Sequence, residues 1–289
     1  MRVVAPAKIN LFLWVGERRE DGLHEVSTVM QSVSLADELV VSPGDDVSLD
    51  VTPPGSAPED ESNLVVAAVR ALRGACARTG GAALALNKRI PAGAGLGGGS
   101  ADAAATLVGL NELWGCGLSK KALEKIAASI GADVPFCVRG GTAGGIGAGE
   151  RLGPLVLRDP LWWVIAKPAG SLATAEVYAR FDELGGPRAT DPDPVELADA
   201  LARGDLQRIG ASLRNDLEPA AEALRPGLGA MRGSLLDAGA LAAVMSGSGP
   251  AWCGLARDEA HAREIASLLS EDLVVVVRSE ARGARIMER

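Results

Sequence analysis

The chain begins with an apolar run over residues 3–15 that is interrupted by lysine and asparagine at its centre. Two-residue alternation places Ile9, Leu11, Leu13 and Val15 on one face of a strand and Lys8 and Asn10 on the other. An extended segment here therefore presents an ammonium and a carboxamide side by side. A polar turn over 16–24 follows, then strand patterns at 26–33, 39–41 and 47–51. Leu64, Ala68, Leu72 and Cys76, flanked by Val65 and Val69, form a helical stripe that Ser62 or Asn63 can cap. A strand at 82–86 leads to a glycine-rich stretch, after which Ala103, Leu107, Leu110 and Trp114 mark one face of a second helix. Ser119 caps a third helix, with Leu123, Ile126, Ala127 and Ile130 on its buried face and Gly131 at its end.

Residues 134–138 read as a short strand, and the glycine-rich segment 140–149 as the way out of a first domain. The second half predicts a strand at 161–165, a loop over 185–194, several helices between Pro194 and Ala238, and strands at 241–245 and 252–255. A helix over 258–269 and a strand at 273–277 close it. Strands and helices mixed in this way predict an α+β protein. A length of 289 residues predicts two domains, 1–155 and 156–289.

The chain is 47% hydrophobic, yet no stretch reaches the length of an apolar membrane span. The first residues lack a basic-then-apolar leader pattern, which predicts a cytoplasmic protein. A net charge of −8 argues against a nucleic-acid surface. It also requires any anion site to be locally basic, with Lys8, Lys88 and Arg89 as candidates. The four cysteines, Cys76, Cys116, Cys137 and Cys253, form no Cys-x-x-Cys pair, and there are two histidines. The expectation is buried, reduced thiols and no dedicated metal site. The absence of a long coiled-coil pattern suits a monomer or a weak homodimer.

The segment Pro91-Ala92-Gly93-Ala94-Gly95-Leu96-Gly97-Gly98-Gly99-Ser100-Ala101 carries the strongest chemical signal. Its glycines permit positive φ and close approach of backbone N–H groups to a ligand. The helix that follows aims free N–H groups and a positive dipole end at the same point, which is an anion site suited to a phosphate chain. Gly99 stands where a Walker loop would need lysine, and residues 87–91 break the tight strand-turn-helix of a dinucleotide fold. A flexible linker would not run straight into an amphipathic helix.

This string resembles the second motif of the GHMP kinases. Pro6-Ala7-Lys8-Ile9-Asn10-Leu11 resembles the first motif of that family, and Ser246-Gly247-Ser248-Gly249-Pro250 the third, in the same order and at similar spacing. The resemblance implies a ribosomal-S5-like N-terminal domain, a ferredoxin-like C-terminal domain, and a site in the cleft between them. It also implies that residues 91–101 bind ATP, with Mg2+ accompanying the phosphates. Gly131-Ala132-Asp133-Val134-Pro135 matches the catalytic-aspartate segment, so Asp133 is expected to accept a hydroxyl proton or to orient the hydroxyl. Lys8 is expected to pair with Asp133 and offset charge on the γ-phosphate. Ser100 either caps the helix or reaches the metal.

Within the family, Arg18-Arg19-Glu20-Asp21-Gly22-Leu23-His24 resembles the branch that phosphorylates the 2-hydroxyl of a cytidine diphosphate-linked methylerythritol. On that likeness Asn10 contacts the substrate near the reacting hydroxyl, His24 reads the cytosine edge, and Tyr178 stacks on the base. Leu23 departs from the pattern, since an aromatic residue usually precedes this histidine. A homoserine- or mevalonate-type kinase and a non-enzymatic nucleotide sensor are the competing readings. Asn215-Asp216-Leu217-Glu218-Pro219 also resembles a family string, with helix capping by Asp216 as its plain role.

Overall fold

The computed structural model describes residues 1–187 and 193–288. Five residues of the loop read over 185–194, namely 188–192, therefore lie outside the described residues. In chain order the first half holds β1 (Arg2–Arg18), β2 (His24–Gly44), β3 (Val47–Thr52), α1 (Leu64–Ala75), β4 (Gly81–Asn87), α2 (Gly98–Leu113), α3 (Lys120–Ala127), α4 (Val134–Arg139), β5 (Thr142–Gly147) and β6 (Arg151–Pro154). The second half holds β7 (Trp162–Lys167), α5 (Thr174–Glu183), α6 (Val195–Arg203), α7 (Leu206–Ala211), β8 (Arg214–Asn215), α8 (Glu218–Leu224), α9 (Ala230–Asp237), β9 (Ala242–Met245), β10 (Trp252–Ala256), α10 (Glu259–Ser267), β11 (Leu273–Arg278) and β12 (Arg285–Glu288).

Two sheets organise these elements. The larger runs β12-β1-β2-β4-β3, with β5 also pairing β2, β6 pairing β5, and β8 pairing β1. The smaller is the antiparallel sheet β11-β7-β10-β9. The chain returns from the second half to the first sheet twice, through β8 beside Phe12 and Leu13 and through β12 beside Arg2–Val4.

β1 is the pivot. Register shifts fall between Pro6 and Lys8 and between Asn10 and Phe12, so irregularities bracket the two polar residues of the strand. Bulges re-aim side chains and recur beside functional sites. They also split the apolar face that alternation assigned to one layer. Ile9, Leu11 and Phe12 pack in the core beneath the larger sheet, whereas Leu13 and Val15 pack with Val164, Val177 and Met245 of the second half.

Several local readings change. Residues 26–33 and 39–41 belong to one continuous strand, β2, whose first part pairs β5 and whose later part pairs β4. Residues 134–138 form a helix, α4, because Pro135 sits in its first turn, where the missing N–H costs nothing. Segment 140–149 does not exit the domain. Its residues 142–147 form β5 inside the larger sheet, where glycines lie against Thr28 and Leu152. α3 ends at Ala127, ahead of Gly131, and leaves Ile126 and Ile130 only half-buried. Asn63 and not Ser62 caps α1, accepting from the Val65 N–H.

Cys76 and Cys116 are joined in a disulfide linking the end of α1 to the turn after α2, contrary to the expectation of reduced thiols. Adjacent packing of α1 and α2 brings the two half-buried sulfurs together. Cys137 and Cys253 are free and buried. Burial pushes both thiols well above the ordinary range, Cys253 to about 12.

α2 is the central helix. Ala101, Ala103, Ala104, Ala105, Leu107 and Leu110 are all buried, so it is apolar on nearly every side, as expected of a helix enclosed by neighbours. At Gly109 a Cβ would come within 2.8 Å of Val41 and 3.1 Å of Val3, so glycine allows the helix to lie close on the sheet. At the other end of the helix a Cβ at Gly97 would lie 2.9 Å from the Lys8 side chain, so the N-terminus of α2 lies close against β1.

Candidate active site

The segment 91–97 approaches α2 as a tight bend. Gly93, Gly95 and Gly97 have φ of 60°, 77° and 70°, conformations that suit glycine. Gly97 is the N-cap and offers no side-chain hydrogen bond, so the first N–H groups of α2 remain available to a ligand. Ser100 lies inside the first turn and does not cap the helix, which removes one of its two expected roles.

Neighbouring strands press closely on this bend. The Lys8 N–H donates to the Leu96 carbonyl at 3.0 Å. A Cβ at Gly95 would lie 2.0 Å from the Ser246 carbonyl oxygen. The Ser246 hydroxyl donates to the Gly95 carbonyl at 2.9 Å and accepts from the Asn10 N–H at 3.3 Å. The strings at 6–11, 91–101 and 246–250 thus meet as one junction, although they lie far apart in sequence. Asn215 holds the third string in place by donating to the carbonyls of Met245 and Gly247 at 2.8 and 2.7 Å. Asp216 does not cap α8. Its carboxylate pairs with Arg214 at 2.8 Å and accepts from the Val15 N–H at 3.1 Å.

Lys8 and Asn10 point into the junction. The buried Lys8 Nζ donates to Asn10 Oδ1 at 2.7 Å and lies 3.2 Å from Asp133 Oδ2. Asn10 Nδ2 donates to Thr28 Oγ1 at 2.9 Å, and that hydroxyl donates to the Phe12 carbonyl at 2.8 Å. This chain leaves the carboxamide one orientation. Asp133 stands at the start of α4 with its side chain 34% exposed, so it can meet both the ammonium and a ligand.

Lys88 does not serve as a free cation for phosphate. Its ammonium lies between the carboxylates of Asp37 and Asp102, 2.7 Å from Asp102 Oδ2. Asp37 Oδ1 also accepts from the N–H groups of Arg89 and Ile90 at 2.5 and 2.8 Å. The buried triad therefore ties β2, the entry to the glycine bend and α2 together. Arg89 is exposed. Burial raises the Asp102 carboxyl to about 7 despite Lys88, with Asp37 adding to the rise. Asp102 Oδ1 is buried without a hydrogen-bond partner. The sequence singled out Lys88 by charge alone, since its neutralising partners come from distant positions.

Two cavities open here. The first, of about 430 Å³, is lined by Lys8, Asn10, Asn63, residues 91–100, Asp133 and Gly247. The second, of about 720 Å³, is lined by Leu23, His24, Asp133, Thr174, Tyr178 and Asp182. Ser100, Asp133 and Tyr178 line both. A phosphate chain on the bend would thus end where the second cavity begins.

The second cavity brings His24 and Tyr178 together as expected, with ring centroids 5.0 Å apart. Leu23 is 53% exposed at its mouth. Burial, with Asp133's charge adding to it, raises the Tyr178 phenol, which therefore stays neutral. Asp182 was missed by sequence reasoning: it accepts from or pairs with His24 Nε2 at 2.8 Å. The four-residue spacing from Tyr178 on α5 was the available signal.

Residues 63–141 match the N-terminal domain model of the GHMP kinases, and residues 197–274 match the C-terminal model of the same family. The chain belongs to the GHMP kinases. A Salinispora tropica protein, 4-diphosphocytidyl-2-C-methyl-D-erythritol kinase, is 46% identical over 93% of this chain and 88% of its own length. A Mycolicibacterium gilvum protein of the same name is 42% identical over 99% of this chain and 92% of its own. A crystal structure of 4-(cytidine 5'-diphospho)-2C-methyl-D-erythritol kinase superposes with a TM-score of 0.80 at 38% identity, covering 96% of this chain and 99% of that one. Homoserine kinase from Cytophaga hutchinsonii, 22% identical with a TM-score of 0.78 over 99% of this chain and 96% of that one, shares the GHMP fold. Among the described residues no helix is long and apolar enough to cross a membrane, and no group of three or more His, Cys, Asp or Glu is placed to hold a metal ion.

Proposed function

We propose that this GHMP kinase transfers the γ-phosphoryl group of ATP to the 2-hydroxyl of 4-diphosphocytidyl-2-C-methyl-D-erythritol, as a cytoplasmic enzyme. The observation that carries the reading is the Lys8–Asp133 pair at 3.2 Å, set where the glycine-lined cavity joins the cavity of His24 and Tyr178. The names of relatives more than 40% identical over most of the chain support the choice of acceptor.

The roles follow from charge and position. The bend and the first turn of α2 hold the triphosphate through backbone N–H groups. The hydroxyl oxygen, held between Lys8 and Asp133 and beside Asn10, bonds to the γ-phosphorus as the bond to the β–γ bridging oxygen breaks and ADP leaves. Its proton passes to the Asp133 carboxylate. Lys8 offsets negative charge on the transferring group, and Asn10 fixes the direction of its ammonium. Mg2+ would accompany the triphosphate, and Ser100, in the first turn of α2, is one of the hydroxyls that face both cavities. The metal would supply charge neutralisation. His24 and Tyr178 take the cytosine.

An acceptor-dependent ADP-release assay tests this reading. Turnover with the cytidylyl substrate and none with homoserine or mevalonate is expected. Transfer to either small alcohol alone rejects the assignment, and ATP binding without any acceptor-dependent ADP release favours a sensor.

A further inference from the structure

The pair formed by His24 and Asp182 is assigned no part in phosphoryl transfer, yet both residues line the second cavity. His24 is buried, and its Nε2 lies 2.8 Å from Asp182 Oδ1. The ring is held on two sides, by Tyr178 at a centroid distance of 5.0 Å and by Phe181 edge-on at 6.0 Å. Asp182 and Tyr178 share a face of α5, so one helix supplies both the ring's neighbour and its hydrogen-bond partner. No protein group among the described residues bonds to His24 Nδ1, and the residue lines the cavity.

An ionised carboxylate can only accept a hydrogen bond. Oδ1 of Asp182 therefore requires the hydrogen of neutral His24 to be on Nε2, which leaves Nδ1 as a bare acceptor. We infer that Asp182 is a specificity-determining positioning residue that fixes the His24 tautomer, so that Nδ1 accepts from an exocyclic amine and turns away a carbonyl. Cytosine carries an amine at the position where uracil carries an oxygen. A bare Nδ1 bonds the first and faces a lone pair on the second. A mismatch of this kind leaves buried polar groups unpaired, which discriminates far more strongly than a change of shape.

This inference rests on the proposed reading of His24 as the residue that meets the base, and it explains how the base is chosen when Leu23 offers no ring to stack on it. The plain alternative is that Asp182 only anchors α5 to the start of β2. Anchoring would affect stability and leave the choice of base untouched.

The test compares wild type with Asp182→Asn and Asp182→Ala at about pH 8, above the ordinary imidazole range. Three quantities are read: the tautomer of His24 by nitrogen NMR of the free protein, binding of cytidine diphosphate against uridine diphosphate with an ATP analogue present, and kcat and KM with the cytidylyl and uridylyl forms of the substrate. Wild type is expected to show protonated Nε2 and bare Nδ1. Its preference for cytidine should fall about tenfold or more in both variants, through KM and not kcat, as the tautomers mix. An unchanged preference, or a His24 already protonated on Nδ1 in the wild type, overturns the inference. If cytidine diphosphate binds with an Asp182-dependent preference but the cytidylyl substrate is not phosphorylated, the inference stands and the proposed acceptor falls.

Discussion

The two cavities that share Asp133 are built by different means. The glycine-lined cavity, proposed for the nucleotide, is made largely of backbone: glycines at positive φ, helix N–H groups and carbonyls locked against Ser246. The other cavity, proposed for the acceptor, is made of side chains, with His24, Tyr178 and Asp182 gathered from β2 and α5 and Phe181 packed against the His24 ring. A backbone site needs glycine at fixed places and tolerates little else, so it leaves a written motif. A side-chain site can exchange one apolar surface for another, as Leu23 illustrates, and keep its shape. The first should therefore fail abruptly when altered, and the second should respond by degrees.

The largest effect is expected where the two regions meet. Asp133→Asn should lower kcat by about 10²–10⁴-fold with both substrates saturating, the usual contribution of a general base, and leave the circular-dichroism melting curve nearly unchanged. On the nucleotide side, Gly95→Ala places a methyl group 2.0 Å from the Ser246 carbonyl at a φ of 77°. Strain of this kind costs about 1–3 kcal/mol, so KM for ATP should rise about tenfold or more while KM for the acceptor moves little. On the acceptor side, Leu23→Tyr restores a stacking surface, and base–aromatic stacking is worth about 1–3 kcal/mol. KM for the cytidylyl substrate should fall by about tenfold, with ATP parameters unchanged. A gain in ATP affinity instead would mean that the two cavities are not separate in function.

The smallest effect concerns the triad beneath the bend. The Asp102 carboxyl is raised from an ordinary value of 3.8 to about 7, chiefly by burial. Between those values the folded chain binds more protons than the unfolded one, so this group makes stability fall as pH rises through that interval. Asp102→Asn keeps the shape and removes the proton. Its melting temperature should depend less steeply on pH than that of the wild type between about pH 4 and 7. Parallel slopes would show that Asp102 stays ionised in the folded state.

The same contrast governs what could be read from the sequence. The glycine bend, the polar pair on β1 and the caps at Asn63 and Ser119 are local devices, and the structure contains them. Residues 134–138 carry an apolar pattern too short to tell strand from helix, and Pro135 in the first turn suits the helix that forms. The split of β1 between two cores could not be seen in an alternation rule, because a bulge changes the phase. The Lys88 triad, the Cys76–Cys116 bond and the His24–Asp182 pair each join positions distant in sequence. No spacing announces the first two, and for the third the four-residue step from Tyr178 is the one local signal.

The central claim is spatial: one hydroxyl lies between Lys8 and Asp133 while the triphosphate rests on residues 93–99. A crystal structure with the cytidylyl substrate and a non-hydrolysable ATP analogue measures this directly. The account predicts the 2-hydroxyl oxygen within hydrogen-bond reach of Asp133 Oδ2 and in line with the terminal phosphorus. A nucleotide bound outside the bend, or an acceptor hydroxyl directed away from Asp133, would contradict it.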